Sequence, residues 1–101
     1  MAKVYIVTAR VYRRGYFAEP FKAEDIIKVF DDYHKVVEYI RDTIKKEHKK
    51  LDDSRDDLTH WHKYEPHLDD FVEGRYISSI EYDTGTYYES MSYRFRSYDV
   101  E

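Results

Sequence analysis

The 101-residue sequence contains no cysteine, only three glycines and only two prolines. Without cysteine there can be no disulfide, thiolate zinc site, iron–sulfur cluster or cysteine nucleophile, and this composition fits a reducing compartment. The phosphate-binding patterns GxxxxGK[ST] and GxGxxG and the nucleophile elbow GxSxG are absent as well. A secretory signal needs about 7–15 consecutive apolar residues and a membrane span about 20, and neither run occurs. We therefore expect a cytoplasmic protein that makes no membrane contact.

Charged residues make up 38% of the chain, a fraction that raises the question of disorder. Disordered chains are poor in aromatic residues, however, and here aromatics reach 18%, with 12 tyrosines. We therefore expect one folded domain spanning residues 1–101. Tyrosine combines a large apolar ring with a polar tip, so its abundance is typical of binding surfaces.

The net charge of −4 conceals an uneven distribution. Residues 1–50 contain 12 Lys and Arg against 8 Asp and Glu, whereas residues 51–101 contain 5 against 13. The most acidic part is an aromatic-rich connection at about 51–74, which carries eight carboxylates. This distribution argues against general binding to a phosphate backbone.

Apolar periodicity predicts a strand over 3–14, buried on both faces near its start. A short second strand is predicted over Ile26–Phe30, with an early helical turn as the alternative. A helix is predicted from an N-cap at Asp31 or Asp32 to about Lys50, where clustered lysines would complement the helix dipole. Its apolar stripe is Tyr33, Val36, Val37, Ile40 and Ile44.

A hairpin is predicted from two alternating segments, 75–82 and 86–98, joined by the turn signal Asp83-Thr84-Gly85. In its second strand Tyr87, Met91, Tyr93 and Phe95 are predicted to face inward. Tyr88, Ser90, Ser92, Arg94, Arg96 and Tyr98 are predicted to face outward. The expected fold class is α+β, a small antiparallel sheet of about four strands in the order β-β-α-β-β, with one main helix packed on one face.

Residues 59–70, THWHKYEPHLDD, contain a pair of histidines at alternate positions, His60 and His62. In an extended segment both rings point the same way, and His67 with Asp69 or Asp70 would complete a metal site. The longer spacing of known metal-binding families is missing, so the same segment also fits an exposed loop. We predict no metal or cofactor and keep a histidine-ligated metal as an alternative.

The segment YRFRSY at 93–98 alternates Arg94 and Arg96 with aromatic residues. It resembles the last strands of small bacterial toxin ribonucleases of the RelE/ParE kind, which implies phosphate contacts by arginine, base stacking by tyrosine and a histidine as acid or base. Those toxins are basic and place helices before the sheet, and this chain departs from both features. The alternative for Arg94 and Arg96 is cross-strand pairing with Glu81 and Asp83.

The order of VYIVTA, a loop, IIKVFDDYHKVVEYI and a closing tyrosine-rich hairpin is similar to that of short proteins of bacteriophages and prophages. That resemblance implies a stoichiometric inhibitor of a host enzyme or defence protein, in some cases one that imitates DNA phosphates with carboxylates.

The leading hypothesis is therefore a non-enzymatic interaction module that binds a protein with a basic surface. The alternatives are a nucleic-acid-binding protein or small ribonuclease, and a metal-binding protein. Exposed strand edges also allow a homodimer. The predicted contact residues are Asp52, Asp53, Asp56, Asp57, His60, Trp61, His62, Tyr64, Asp69, Asp70, Tyr88 and Tyr98.

Overall fold

The computed structural model describes residues 2–15, 19–54 and 59–100. These residues form five strands and one long helix, which confirms the predicted α+β class. The elements are β1 (Ala2–Gly15), β2 (Phe21–Phe30), α1 (Tyr33–Ser54), β3 (Trp61–Lys63), β4 (Ile77–Asp83) and β5 (Tyr87–Val100), with a single 3-10 turn at Leu68–Asp70. No helix in the described ranges is long and apolar enough to cross a membrane.

The strands form one antiparallel sheet in the order β2-β1-β5-β4-β3. β1 and β5 pair along 14 residues each, from Ala2 opposite Val100 to Gly15 opposite Tyr87. β3 is the strand that the sequence did not predict. Three residues are too few to show an alternating pattern, so β3 is recognisable only by its pairing with β4.

β2 is twice as long as its predicted apolar part, because pairing with β1 extends it back to Phe21. Between Val7 and Thr8 the register shifts, so that Val7 lies opposite Lys28 and Thr8 opposite Ile26. Ile27 is therefore the extra residue of a β-bulge. Because of the bulge, residues 28–30 point to the faces opposite to those they would have in a regular strand continued from residues 21–26.

The helix begins as the sequence predicts. The amide of His34 donates to Oδ1 of Asp32 at 2.8 Å, so the second of the two candidate aspartates is the N-cap. The predicted end at Lys50 is wrong, because α1 continues to Ser54 and so brings Leu51 to its buried side. His48, within the predicted range, is buried there as well. The lysines at 45–50 accordingly lie within the helix rather than at its C-terminus.

The core lies between α1 and one face of the sheet. Val36, Val37, Ile40 and Ile44 of the helix cover Val7, Ile77, Tyr93 and Phe95 of the strands. The expectation that β1 is buried on both faces is wrong, since Val7 alone is fully buried while Val4 and Ile6 are half-exposed on the other face. No described helix covers that second face.

The hairpin follows its turn signal. Gly85 has φ +87°, a conformation that residues with a side chain rarely adopt, and its amide donates to Oδ1 of Asp83 at 2.9 Å. Tyr93 and Phe95 of β5 are buried as predicted, whereas Tyr87 remains partly exposed. Ser92 lies on the predicted side of the strand but is buried there beneath its neighbours.

A polar cluster joins α1 to the sheet inside this core. Oε1 of Glu47 accepts hydrogen bonds at 2.7 Å from both Ser79 Oγ and Tyr93 Oη. Next to it, Nε2 of His48 lies 2.9 Å from the carbonyl oxygen of Ser79. Burial and the hydrogen bond to Glu47 raise the pKa of Tyr93 far above its usual range, so its hydroxyl stays a donor.

Candidate functional site: the open face of the sheet

The face of the sheet opposite α1, here called the open face, collects alternate residues of neighbouring strands. Because β1 and β5 are paired in register, the even-numbered residues of both strands point to this side. The open face carries Val4, Ile6, Thr8, Arg10, Tyr12 and Arg14 from β1, Lys22, Glu24, Ile26 and Val29 from β2, Tyr88, Ser90, Ser92, Arg94, Arg96 and Tyr98 from β5, and Tyr76, Ser78, Glu81 and Asp83 from β4 and the residues before it.

Most of the cations on this face form no salt bridge with another described residue, although Arg96 interacts electrostatically with Glu73. Arg10, Arg14 and Arg96 form no salt bridge within the described part of the chain. Lys22 places its ammonium 5.7 Å from the ring centre of Tyr12. With Arg94, the face holds five cations against the carboxylates of Glu24, Glu81 and Asp83, in a chain whose net charge is −4.

Aromatic rings lie between these cations. The guanidinium carbons of Arg10 and Arg94 lie 4.8 and 4.5 Å from the ring centre of Tyr76. Tyr12 and Tyr88 meet edge to face, with their ring centres 5.7 Å apart. Guanidinium groups over aromatic rings gain cation–π attraction, so these arginines are held above the sheet with their charge intact.

Glu24 organises the middle of the open face. Its carboxylate accepts from Thr8 Oγ1 at 2.6 Å, from Tyr76 Oη at 2.6 Å, and from Nε and Nη2 of Arg94 at 2.7 and 3.1 Å. Partial burial alone would raise the pKa of Glu24, but these hydrogen bonds and the arginine charge outweigh it and hold the pKa below its ordinary value. Glu24 therefore stays ionised at neutral pH.

Two shallow depressions flank this centre. One, of about 320 Å³, is lined by Arg10, Tyr12, Arg14, Tyr88 and Ser90. The other, of about 200 Å³, is lined by Ile6, Thr8, Glu24, Arg94, Arg96 and Tyr98. Each depression thus contains at least one arginine that forms no salt bridge with a described residue, together with one aromatic ring.

The alternative suggested for Arg94 and Arg96, cross-strand pairing with Glu81 and Asp83, is wrong. The register sets Glu81 opposite Ser90 and Asp83 opposite Tyr88, several residues from either arginine. Arg94 instead pairs with Glu24 on the far side of β1. Glu81 accepts hydrogen bonds from the hydroxyls of Tyr64 and Tyr88, at 3.2 and 2.7 Å.

The predicted acidic contact residues that the structure describes lie near the end of α1 and at the 3-10 turn. Asp52 pairs with Lys63 at 2.7 Å, and Oδ2 of Asp70 accepts from the amide of His67 at the 3-10 turn. Asp53 and Asp69 are exposed to solvent. Asp56 and Asp57 lie outside the described residues.

The aromatic part of the same segment is split between the two faces. His60 and Trp61 pack against the ring of Tyr82, with ring centres 6.0 and 4.8 Å away. His62 lies opposite Glu81, on the side of the open face. Within the ranges that the structure describes, no three His, Asp or Glu side chains are grouped to hold a metal ion.

Of the predicted contact residues, His62, Tyr88 and Tyr98 therefore lie on the side of the open face, and Tyr64 reaches its rim through Glu81. The sequence did not single out Arg10, Tyr12, Glu24 or Tyr76. The alternation of VTARVYRR in β1 was the available signal for the arginines, but its meaning depends on the pairing of β1 with β5.

Comparisons with protein-family models, with curated proteins and with solved structures gave no significant match.

Proposed function

We propose that the open face binds single-stranded nucleic acid, with RNA as the first candidate. The observation that carries the proposal is the alternation of arginines without a described salt bridge with tyrosines, of which Tyr76 and Tyr98 are exposed, across a sheet face that no described helix covers. Arginines neutralise phosphates, and aromatic rings stack on unpaired bases, so a surface that interleaves the two fits a single strand better than a duplex or an acidic protein.

The dimensions of the face agree with such a ligand. Arg14 lies opposite Tyr88 and Ile6 opposite Arg96, so the two ends of the basic track are eight residues apart along β5. At a rise of about 3.4 Å per residue the track is about 27 Å long. That length accommodates a short segment of roughly four nucleotides or more.

Fluorescence anisotropy with a labelled mixed-sequence RNA, titrated at several salt concentrations, tests the proposal. If Arg10, Arg14, Arg96 and Lys22 each meet one phosphate, the plot of log affinity against log salt has a slope of about −3. The variant Arg14→Gln/Arg96→Gln should bind more weakly and flatten that slope by about 1.4. Arg41→Gln, which changes an exposed arginine of α1, is the control and should behave like the wild type.

A pair of tyrosines on β5 tests the stacking half of the proposal. Tyr98, 51% exposed, lies on the open face, whereas Tyr87, 36% exposed, lies on the other. Loss of one stacked base weakens binding by about 1–3 kcal/mol, so Tyr98→Ala should reduce affinity about tenfold and Tyr87→Ala should not. Equal affinities for RNA in all four variants and the wild type would exclude the open face as the binding site.

A second candidate function is the protein-interaction module predicted from the sequence, including an inhibitor of the bacteriophage kind. The observation that favours it is the exposure of apolar and acidic side chains together at the 3-10 turn, where Leu68 and Val72 lie beside Asp69. Exposed apolar groups within a charged rim are typical of protein contact sites.

Charge reversal tests this second candidate. Asp53→Lys/Asp69→Lys changes two exposed carboxylates that form no described ion pair, and Glu19→Lys, an exposed position before β2, is the control. In affinity capture from a bacterial lysate, a basic partner should be retained by the wild type and the control and lost by the double variant. Identical captured proteins for all three would count against an acidic contact surface.

A further inference from the structure

β2 forms one edge of the sheet and presents an uncovered row of backbone groups. It pairs with β1 on one side, and no described residue pairs with its other side. An unpaired strand of ten residues is a template for another strand. The opposite edge of the sheet, β3, has only three residues and offers far less backbone.

Although β2 carries four charged residues, several of its apolar side chains are exposed at this free edge. Ile26 is 65% exposed and Val29 53%, and Phe21 and Ile27 are exposed as well. Edge strands are commonly protected by charged residues along their length. Here the centre of the strand, Ile26-Ile27, carries no charge, so solvent contact at this edge is costly and a partner would relieve it.

We propose that two copies of the chain pair through β2, antiparallel, in the register that sets Asp25 opposite Lys28 of the other copy. The same register sets Ile26 opposite Ile27 and Glu24 opposite Val29. By two-fold symmetry each of these pairs occurs twice, which is the arrangement of an isologous dimer. The proposal does not depend on nucleic-acid binding.

The β-bulge makes this register sterically consistent. Opposed residues in an antiparallel pair must point to the same face. Asp25 lies opposite Ala9 and Lys28 opposite Val7, so both point to the α1 side although they are three residues apart. Glu24 and Val29 likewise both point to the open face. Without the extra residue Ile27, these pairs would point to opposite faces.

Charge also favours a second copy over another partner. The strand FKAEDIIKVF carries two lysines and two acids, so two copies approach without net repulsion. In the proposed register each Lys28 meets an acid and no like charges are opposed. The two-fold axis runs normal to the sheet, so the open faces of both copies lie on the same side of one ten-stranded sheet.

Sedimentation of the full chain over a wide concentration range tests the proposal, and the wild type should dimerise. Ile26→Lys should remain monomeric, since it places two lysines at the centre of the interface. Leu68→Lys is the matched control, because Leu68 is 67% exposed but lies at the 3-10 turn, and it should dimerise like the wild type. Monomers at every concentration for the wild type, or equal effects of the two variants, would overturn the proposal.

Charge exchange tests the register itself. Asp25→Lys and Lys28→Asp each oppose like charges twice, and each should weaken self-association by about 10- to 100-fold. Mixed with each other, the two variants oppose Lys to Asp at both positions, and heterodimers should form. Failure of the mixture to associate, with both variants folded by circular dichroism, would exclude this register.

Discussion

Removal of the Glu47 carboxylate should destabilise the protein far more than is usual for a partly exposed residue of a helix. In Glu47→Ala the hydroxyls of Ser79 and Tyr93 both lose their acceptor, and both side chains are buried, Ser79 completely. In the described residues every buried side-chain polar atom has a hydrogen-bond partner. The variant therefore creates buried donors without an acceptor, which the native core does not have.

The magnitude follows from the two donors. A buried polar group without a partner costs about 1–3 kcal/mol. Because Glu47 is only half-buried, water can enter the space it leaves, and the lower half of that range applies. At about 1–2 kcal/mol for each of the two donors, we expect Glu47→Ala to lower the free energy of unfolding by about 2–4 kcal/mol, a large part of the roughly 5–15 kcal/mol typical of a domain.

Urea unfolding followed by circular dichroism measures this loss. Glu47→Gln keeps an acceptor oxygen and should lose less than about 1 kcal/mol, and Glu38→Ala on the exposed side of α1 controls for the change in helix residue. In a Tyr93→Phe background the loss on Glu47→Ala should shrink by about 1 kcal/mol, since one of the two donors is already gone. A loss for Glu47→Ala no larger than that for Glu38→Ala would refute the reasoning.

Three further predictions concern single contacts. Folding lowers the pKa of Glu24, so its ionised form stabilises the protein above the ordinary value of 4.5. This contribution is lost as pH falls through the lowered pKa. The acid unfolding of Glu24→Gln, followed by tryptophan fluorescence, should therefore depend less on pH than that of the wild type. Asp32→Ala removes the N-cap of α1 and should cost about 1 kcal/mol in urea unfolding, with Asp42→Ala as the control. The Cβ added by Gly85→Ala would meet no atom within 4 Å, so a loss of about 1–2 kcal/mol in the free energy of unfolding would come from the positive φ alone. An unchanged free energy in urea unfolding would contradict that account.

The elements that the sequence predicted well are those specified by neighbouring residues. The helix is set by its N-cap and its apolar period, and the hairpin by the turn at Gly85 and the alternation on either side. The helix end was misplaced because residues 51–54 are polar apart from Leu51, whose burial depends on tertiary packing. Local patterns therefore gave the fold class and missed the contacts made across the chain.

The open face shows why the candidate site was harder to predict. Arg94 and Glu24 are 70 residues apart in sequence and meet only because β1 lies between β2 and β5. From the sequence, the nearest acids of the hairpin were the natural partners of Arg94. The pairing of β5 with β1 and β4 fixes a register in which Glu81 and Asp83 lie opposite Ser90 and Tyr88. These two acids are therefore out of reach of Arg94.

The strand order, rather than the net charge of the chain, determines which charges lie together on the open face. The pairing of β1 with β5 aligns Arg10 and Arg14 with Arg94 and Arg96 on one face, while most of the carboxylates belong to α1 and to the acidic connection. In the proposed binding mode, a phosphate chain near the open face would meet these arginines first, while carboxylates more than about 8–10 Å away are screened at physiological salt. The pairing of the strands thus places basic and aromatic side chains together on one face of a chain whose net charge is −4.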